Sequence, residues 1–170
     1  RDALGRNKPF IIQRSNHTDR IQTYIKKYAP AFSTLDSLKI EELLGYRDLK
    51  IQYLHRFKEL LPGWVMAHGD EGRAIQTPGS TALSLAKKLG KSVVCGHTHK
   101  LGLQHETTGL NGRNKSVFGL EVGHLMDMKK ASYLTSGVAN WQQGVGMLIQ
   151  TNKQVIPYTI PIVNGTVRLP

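Results

Sequence analysis

The sequence predicts an α/β fold in which strands alternate with helices first and antiparallel strands dominate afterwards. Three short apolar runs, at 8–13, 64–67 and 92–95, each lead into a polar segment that carries histidine. Helical spacing of apolar residues occupies the intervals between these runs, which is typical of a sheet covered by helices. Beyond Lys100 the chain becomes a series of strand-like runs separated by turns. We therefore predict one domain spanning residues 1–170.

Local signals define the elements of the first part. The run 8–13 predicts a buried strand, and Ser15-Asn16-His17 predicts a polar turn after it. A helix is expected from Asp19, which is a suitable cap, until Pro30 prevents its continuation. A second short helix is predicted over 37–44, with Ser37 as its cap. The segment 50–61 fits either a helix or a pair of strands.

The clearest helix signal lies between the second and third apolar runs. A helix is expected from Thr81 to Leu89 with Ser80 or Thr81 as its cap, and Gly90 is a typical residue for its C-terminal end. The strand-like runs of the second half are 101–106, 116–122, 132–134, 146–149, 155–162 and 166–169. Turns are predicted at 109–112 and at Asn164-Gly165, and the latter is a strong signal for a two-residue hairpin.

The composition restricts the classes of function. The formal net charge of +11 favours anionic partners such as phosphate esters, nucleotides or nucleic acid, although a solvated basic surface is the alternative. No apolar run is long enough for a membrane helix, so no membrane partner is expected. The single cysteine, Cys95, excludes an internal disulfide and is expected to be a buried, inert thiol. A cytoplasmic location is the natural expectation.

Histidines at the ends of apolar strands are the strongest functional signal. Four of the seven histidines occupy such positions, namely His17, His68, His97 and His99. Neutral imidazole is the most common metal ligand in proteins. Residues two apart in a strand point to the same face, so His97 and His99 are expected to face one metal centre. Ordinary surface or core histidines are the alternative for each position taken alone.

The order of these motifs resembles a known family. The motifs N-H at 16–17, H-G-D at 68–70 and G-H-T-H at 96–99 resemble the later blocks of the calcineurin-like metallophosphoesterases. The segment 122–147 also resembles the downstream part of phage and bacterial members. The resemblance implies an α-β-β-α sandwich, of which this chain holds strand–helix repeats followed by the antiparallel part.

The resemblance also implies roles for individual residues. Asn16, His68 and His97 would bind the second metal of a binuclear centre, and His99 would bind the first. His17 would be the catalytic histidine, which protonates the leaving group or stabilises charge on the phosphoryl group. Imidazole ligands favour Mn(II), Fe or Zn over calcium, and manganese is the expected ion.

Three further residues are candidates for supporting roles. Asp70 is expected either to orient His68 or to be a solvated loop acid. Arg20 is expected either to contact a phosphate or to lie on the polar face of its helix. Trp141 is expected either to stack on a base or to pack in the core.

Two acidic motifs of the family, D-x-H and G-D-x-x-D, do not occur in this chain. In the family they supply the remaining ligands of the first metal and the carboxylate that bridges both ions. We therefore expect residues 1–170 to form the C-terminal part of a metallophosphoesterase domain. Alone, they are expected to bind one metal weakly, through Asn16, His68 and His97, and to hydrolyse substrates poorly.

The sequence thus predicts a metal-dependent phosphoesterase, acting most readily on phosphodiesters of the nucleotide or nucleic-acid type. The alternative is a non-catalytic basic module that binds nucleic acid or a partner and retains a degenerate metal site. A structural zinc site built from His68, His97 and His99 is less favoured, because closed zinc sites usually contain thiolate ligands.

Overall fold

The computed structural model describes residues 5, 7–131, 139–167 and 169, and its fold is mixed α/β. The chain divides into two compact units, residues 1–56 and 57–170, and each is described by itself. The strand predicted over 132–134 lies outside the described residues. Because both helices and sheets are present, the α/β class expected from the sequence is confirmed for the parts of the chain that the structure describes.

The first unit is a strand–helix–strand arrangement. Strand β1 (Phe10–Gln13) pairs in parallel with β2 (Ile51–Leu54), so that Phe10 lies opposite Ile51. The chain between them forms helix α1 (Asn16–Tyr28), two 3-10 turns and the short helix α2 (Ile40–Leu43). A parallel pair needs such a long crossover, because its strands cannot be joined by a tight turn.

Helix α1 begins three residues earlier than predicted. Ser15 is the N-cap: its hydroxyl accepts a hydrogen bond from the Thr18 backbone amide at 3.1 Å. In return, the Ser15 backbone amide donates to the Thr18 hydroxyl at 2.9 Å, which completes a capping box. The prediction of a turn at 15–17 with Asp19 as the cap was wrong, because Ser15 satisfies the first amides. Asp19 instead lies in the first turn, where its charge favours the helix dipole.

The predicted helix over 37–44 was also wrong at its start. Residues Asp36–Leu38 form a 3-10 turn, and α2 covers only Ile40–Leu43. Lys39 separates the two because its backbone is extended, with φ −69° and ψ 142°. Ser37 therefore lies within a turn and does not cap the helix.

The second unit contains a five-stranded sheet and a three-stranded sheet. In spatial order, the strands of the five-stranded sheet are β3 (Lys58–Leu61), β4 (Trp64–Ala67), β5 (Ser92–Cys95), β7 (Arg113–Val122) and β6 (Leu101–Leu110). Strands β4, β5 and β7 run parallel to one another, while β3 and β6 pair antiparallel at the edges of the sheet. The three-stranded sheet consists of β8 (Gly144–Gln150), β9 (Val155–Val163) and β10 (Thr166–Val167).

The turns predicted at 109–112 and at Asn164-Gly165 both connect antiparallel strands of this unit. Asn164 and Gly165 have φ values of 50° and 72°, so the predicted hairpin between β9 and β10 is confirmed. The turn between β6 and β7 is shorter than predicted, because β6 continues to Leu110. Only Asn111 and Gly112, with φ values of 53° and 77°, form that turn.

Helix α3 (Ser80–Leu89) connects β4 to β5 and is closed by left-handed glycines at both ends. Gly79 is the N-cap with φ 84°, in place of the predicted Ser80 or Thr81, and Gly90 is the predicted C-cap with φ 63°. The Gly79 amide donates to the carboxylate of Glu121 at 2.8 Å, which ties the start of the helix to β7. Among the described residues, no helix has the length and apolar character needed to cross a bilayer.

Successive side chains of β7 point alternately to the two faces of the five-stranded sheet. Gly119 and Glu121 face α3: a Cβ at Gly119 would meet the backbone of Ala82 and Leu83. Leu120 and Val122 face β8, since a Cβ at Gly146 would lie 2.6 Å from Val122 Cγ1. The second unit is therefore layered as a helix, a five-stranded sheet and a three-stranded sheet.

Cys95 lies in the core between the sheet and α3, where it is 2% exposed. Burial raises the pKa of its thiol, and the Glu121 carboxylate adds to the effect. We expect Ellman's reagent to leave the native protein unmodified at pH 8 and to react with one thiol per chain in urea. Rapid modification of the native protein would contradict this burial.

Candidate metal centre

The centre of interest lies at the carboxyl ends of β4 and β5. These strands are parallel neighbours in register, with Ala67 opposite Cys95. The residues that follow them therefore emerge at the same edge of the sheet. The Gly96 amide donates to the His68 carbonyl at 3.0 Å, which continues the pairing by one more step. This is the edge at which α/β folds usually place their functional groups.

His68 and His97 meet at this edge. His97 Nδ1 lies 3.1 Å from His68 Nε2, and the ring centroids are 4.8 Å apart at an angle of 60°. Both residues are half-buried. Two nitrogens that bind one ion at about 2.1 Å each lie roughly 3 Å apart when they are adjacent ligands. The two rings are thus within hydrogen-bond distance, with the donor set by the tautomer, and the same spacing would suit adjacent ligands of one ion once both nitrogens are deprotonated.

The backbone of the G-H-T-H loop explains how His97 reaches His68. His97 and His99 adopt left-handed conformations, with φ values of 62° and 60°. Such values are uncommon outside glycine, although histidine is among the enriched exceptions, and they cluster at functional sites. The Thr98 amide donates back to the Gly96 carbonyl at 2.6 Å, which tightens the loop.

This loop overturns one expectation from the sequence. Strand β5 ends at Cys95, so the alternation of side chains in a strand does not apply to His97 and His99. The two imidazoles instead contact different partners: His97 contacts His68, and His99 contacts Trp141. The site itself stays a prediction, but the geometric reason given for it, alternation of side chains along a strand, was wrong.

Close packing between the two loops depends on Gly69. Its φ is 118°, which side-chain-bearing residues rarely adopt, and a Cβ there would lie 2.8 Å from the Gly96 carbonyl oxygen. The same Cβ would lie 3.0 Å from His97 Cβ. Glycine at this position therefore allows the loop after β4 to approach the loop after β5, which brings the histidines together.

Glu71 fixes the loop after β4, and sequence reasoning missed it. Its carboxylate accepts hydrogen bonds from the His68 amide at 3.2 Å and from the Gly69 amide at 2.7 Å. Asp70, the predicted supporting acid, is half-buried in the same loop. An acid two or three residues after a strand-end histidine is the signal that could have identified Glu71, since short-range contacts to loop amides favour that spacing.

His99 belongs to a second aromatic cluster. Its ring stacks on Trp141 with centroids 4.3 Å apart at 20°, and His124 lies 5.8 Å from His99. Trp141 is half-buried, and the imidazole of His99 covers one face of its ring. Sequence reasoning considered a nucleobase or the core as its partner and missed His99 and His124. No local motif marks His124, so only the fold identifies it.

Gln142 holds this second cluster together. Its amide donates to the His99 carbonyl at 3.0 Å, and its side-chain oxygen accepts from the Leu101 amide at 3.1 Å. The His124 amide donates to the Gln142 carbonyl at 3.2 Å. Burial lowers the pKa of His124, which is 9% exposed, so its ring is neutral at pH 7. His124 Nδ1 accepts from the Met126 amide, which leaves the proton on Nε2.

The remaining predicted site residues lie on α1 of the first unit. Asn16 is the first residue of the helix, and no described residue donates a hydrogen bond to its buried Oδ1. A buried amide oxygen of this kind fits the donor set of a divalent metal ion. His17 and Arg20 are exposed on the same helix.

Two phage proteins are similar to this chain over most of its length. It is 38% identical over 160 residues to the Gene 54 protein of Mycobacterium phage D29 and 36% identical over 160 residues to that of Mycobacterium phage L5. Both alignments cover 92% of this chain and 63% of the relative, so the chain spans less than two thirds of their length. No family model and no solved structure matches the chain.

Proposed function

We propose that this chain contributes the histidine-rich part of a metal-dependent phosphoesterase whose substrates are phosphodiesters of the nucleotide or nucleic-acid type. The observation that carries the proposal is the 3.1 Å separation between the His68 and His97 ring nitrogens at adjacent parallel strand ends. The resemblance to the calcineurin-like metallophosphoesterases supplies the chemistry. The order of helix, five-stranded sheet and three-stranded sheet in the second unit is compatible with three layers of the family's α-β-β-α sandwich.

In this proposal His68 and His97 act as neutral nitrogen ligands of one ion, and Glu71 keeps the backbone of His68 in place. His99 binds the other ion, with Trp141 stacked against its ring. The chemistry that two bound divalent ions would supply is polarisation of the phosphoryl oxygens and activation of water as the nucleophile.

The roles of the first unit rest on the resemblance and on the chemistry of each residue. Asn16 offers its buried amide oxygen as a metal ligand. His17 is exposed, which suits a residue that gives a proton to the leaving alkoxide and exchanges it with solvent. Imidazole and amide donors together favour Mn(II), Fe or Zn.

The test combines metal binding with turnover. We expect the chain to bind Co(II) with visible d–d absorption and to hydrolyse bis-(p-nitrophenyl) phosphate slowly in Mn(II), with both properties lost in EDTA. His17→Ala should lower turnover and leave Co(II) binding unchanged, because His17 is proposed to transfer a proton and not to bind metal. If neither Co(II) binding nor Mn(II)-dependent turnover occurs, the proposal is rejected.

A non-catalytic basic module is the second candidate, and the net charge of +11 favours it. It predicts binding of nucleic acid that weakens with salt, together with no effect of His17→Ala or His97→Ala on any hydrolysis. The two histidine variants therefore separate the candidates.

A further inference from the structure

One face of α1 is exposed and combines aromatic and basic side chains. Residues 16, 20, 23, 24, 27 and 28 recur at helical spacing and therefore share one side of the helix. Together with Asp19 and Arg56 they line a groove of about 610 Å³. We call this surface the tyrosine groove. It begins beside Asn16 and follows the helix for about 18 Å, the length of twelve residue steps.

Two tyrosines dominate the far end of the groove. Tyr24 is 64% exposed and Tyr28 is 61% exposed, and their ring centroids lie 4.8 Å apart at 44°. The two neighbouring exposed rings form an aromatic surface of the kind that suits a ligand with flat apolar faces. Nucleobases have such faces, and stacking on aromatic residues is the usual way in which proteins hold unpaired bases.

The charges along the groove are mainly basic. Three basic side chains line it, Arg20, Lys27 and Arg56, against the single acid Asp19. The Asp19 carboxylate is bound by Arg14 at 2.6 Å and lies 3.6 Å from Arg56, so its charge is largely compensated. Lys27 Nζ lies 4.8 Å from the centre of the Tyr28 ring. A ligand that stacks on the tyrosines therefore meets cations suited to its phosphates.

We infer that the tyrosine groove binds single-stranded nucleic acid, with bases on Tyr24 and Tyr28 and the phosphate backbone on Arg20 and Lys27. This inference deepens the proposed function and rests on it in one respect: the bound strand is the substrate of the phosphoesterase. A duplex fits the groove poorly, because its bases are stacked on each other and do not offer their faces to side chains. An acidic peptide would satisfy the cations but not the exposed ring faces.

The test measures binding without hydrolysis. A fluorescein-labelled oligothymidylate of about ten nucleotides, within the usual range of single-strand sites, is titrated in EDTA and followed by fluorescence anisotropy. We expect Tyr24→Ala and Tyr28→Ala each to weaken binding roughly fivefold or more, the effect of losing one stacked base. Tyr24→Phe retains the ring and should bind like the wild type, which separates stacking from any disturbance of the fold.

The charge contribution has its own readout. A plot of the logarithm of the association constant against the logarithm of the salt concentration has a negative slope. Lys27→Ala should reduce the magnitude of this slope by about 0.7, the contribution of one phosphate contact in a single strand. Lys153→Ala, an exposed lysine in a loop of the second unit, is the matched control and should leave both affinity and slope unchanged. Phe57→Ala, at a ring that is 43% exposed outside the groove, is the aromatic control.

The outcomes for the groove and for the enzyme are distinguishable. Equal oligothymidylate affinity in the wild type, Tyr24→Ala and Lys27→Ala overturns the inference, even when the wild type hydrolyses bis-(p-nitrophenyl) phosphate. A loss of thermal stability in the tyrosine variants without loss of oligothymidylate binding also overturns it, since the face then packs against protein. The inference is supported if Tyr24→Ala and Lys27→Ala both lose oligothymidylate binding while Lys153→Ala and Phe57→Ala keep the wild-type affinity. This outcome supports it whether or not hydrolysis is seen.

Discussion

Replacing His97 by alanine is expected to weaken Co(II) binding by at least about 100-fold and to remove Mn(II)-dependent turnover of bis-(p-nitrophenyl) phosphate. Changes to the residues that merely orient metal ligands already cost about 10- to 100-fold, so loss of a ligand itself should cost more. His97 and His68 are proposed to share one ion, and neither imidazole alone provides a chelate. His68→Ala should therefore give the same loss, and the double variant should add little to either single change.

The backbone at His97 requires a second variant. Because its φ is 62°, alanine adds some strain, whereas asparagine tolerates this conformation. His97→Asn should keep the loop folded and still lose most of the metal affinity, because an amide oxygen replaces the imidazole nitrogen. His105→Ala is the matched control, since His105 is exposed on β6 beside Phe118 and far along the strand from the loop. Retained Co(II) affinity in both His97 variants would falsify the shared site.

Replacing Gly119 by alanine is expected to lower the free energy of unfolding of the second unit by about 3 kcal/mol or more. The added Cβ would lie 2.5 Å from Leu83 Cα and 2.6 Å from the Ala82 carbonyl carbon, and it would also overlap the Leu83 amide. These are backbone atoms of α3, so no side-chain rotation relieves the contact. The helix has to move away from the sheet, which separates Ala82 and Ala86 from Val93 in the core.

Urea denaturation followed by circular dichroism measures this loss. Gly112→Ala is the matched control: its Cβ would meet nothing within 4 Å, and the only cost is a left-handed residue with φ 77°. That cost is about 1–2 kcal/mol. If Gly119→Ala is no more destabilising than Gly112→Ala, then α3 does not pack on β7 as closely as described.

Local sequence signals were sufficient for the elements nearest the candidate site. The predicted bounds of β4 and β5, 64–67 and 92–95, agree with the structure, and α3 begins within one residue of its predicted start. Each of these elements is a short apolar or periodic run bounded by glycine, proline or a polar turn. The signals failed where two polar residues competed for the same role, as Ser15 and Asp19 did at the start of α1.

The sequence by itself determined that strand-end histidines are the candidate chemistry, because imidazoles after apolar runs are visible without a fold. Only the tertiary structure decided how they group. The parallel pairing of β4 with β5 brings His68 to His97, and the left-handed residues of the loop direct His99 to Trp141. The contacts of Glu71, Gly69 and His124 likewise follow from the fold. Their roles depend on contacts and backbone angles that neither composition nor spacing specifies.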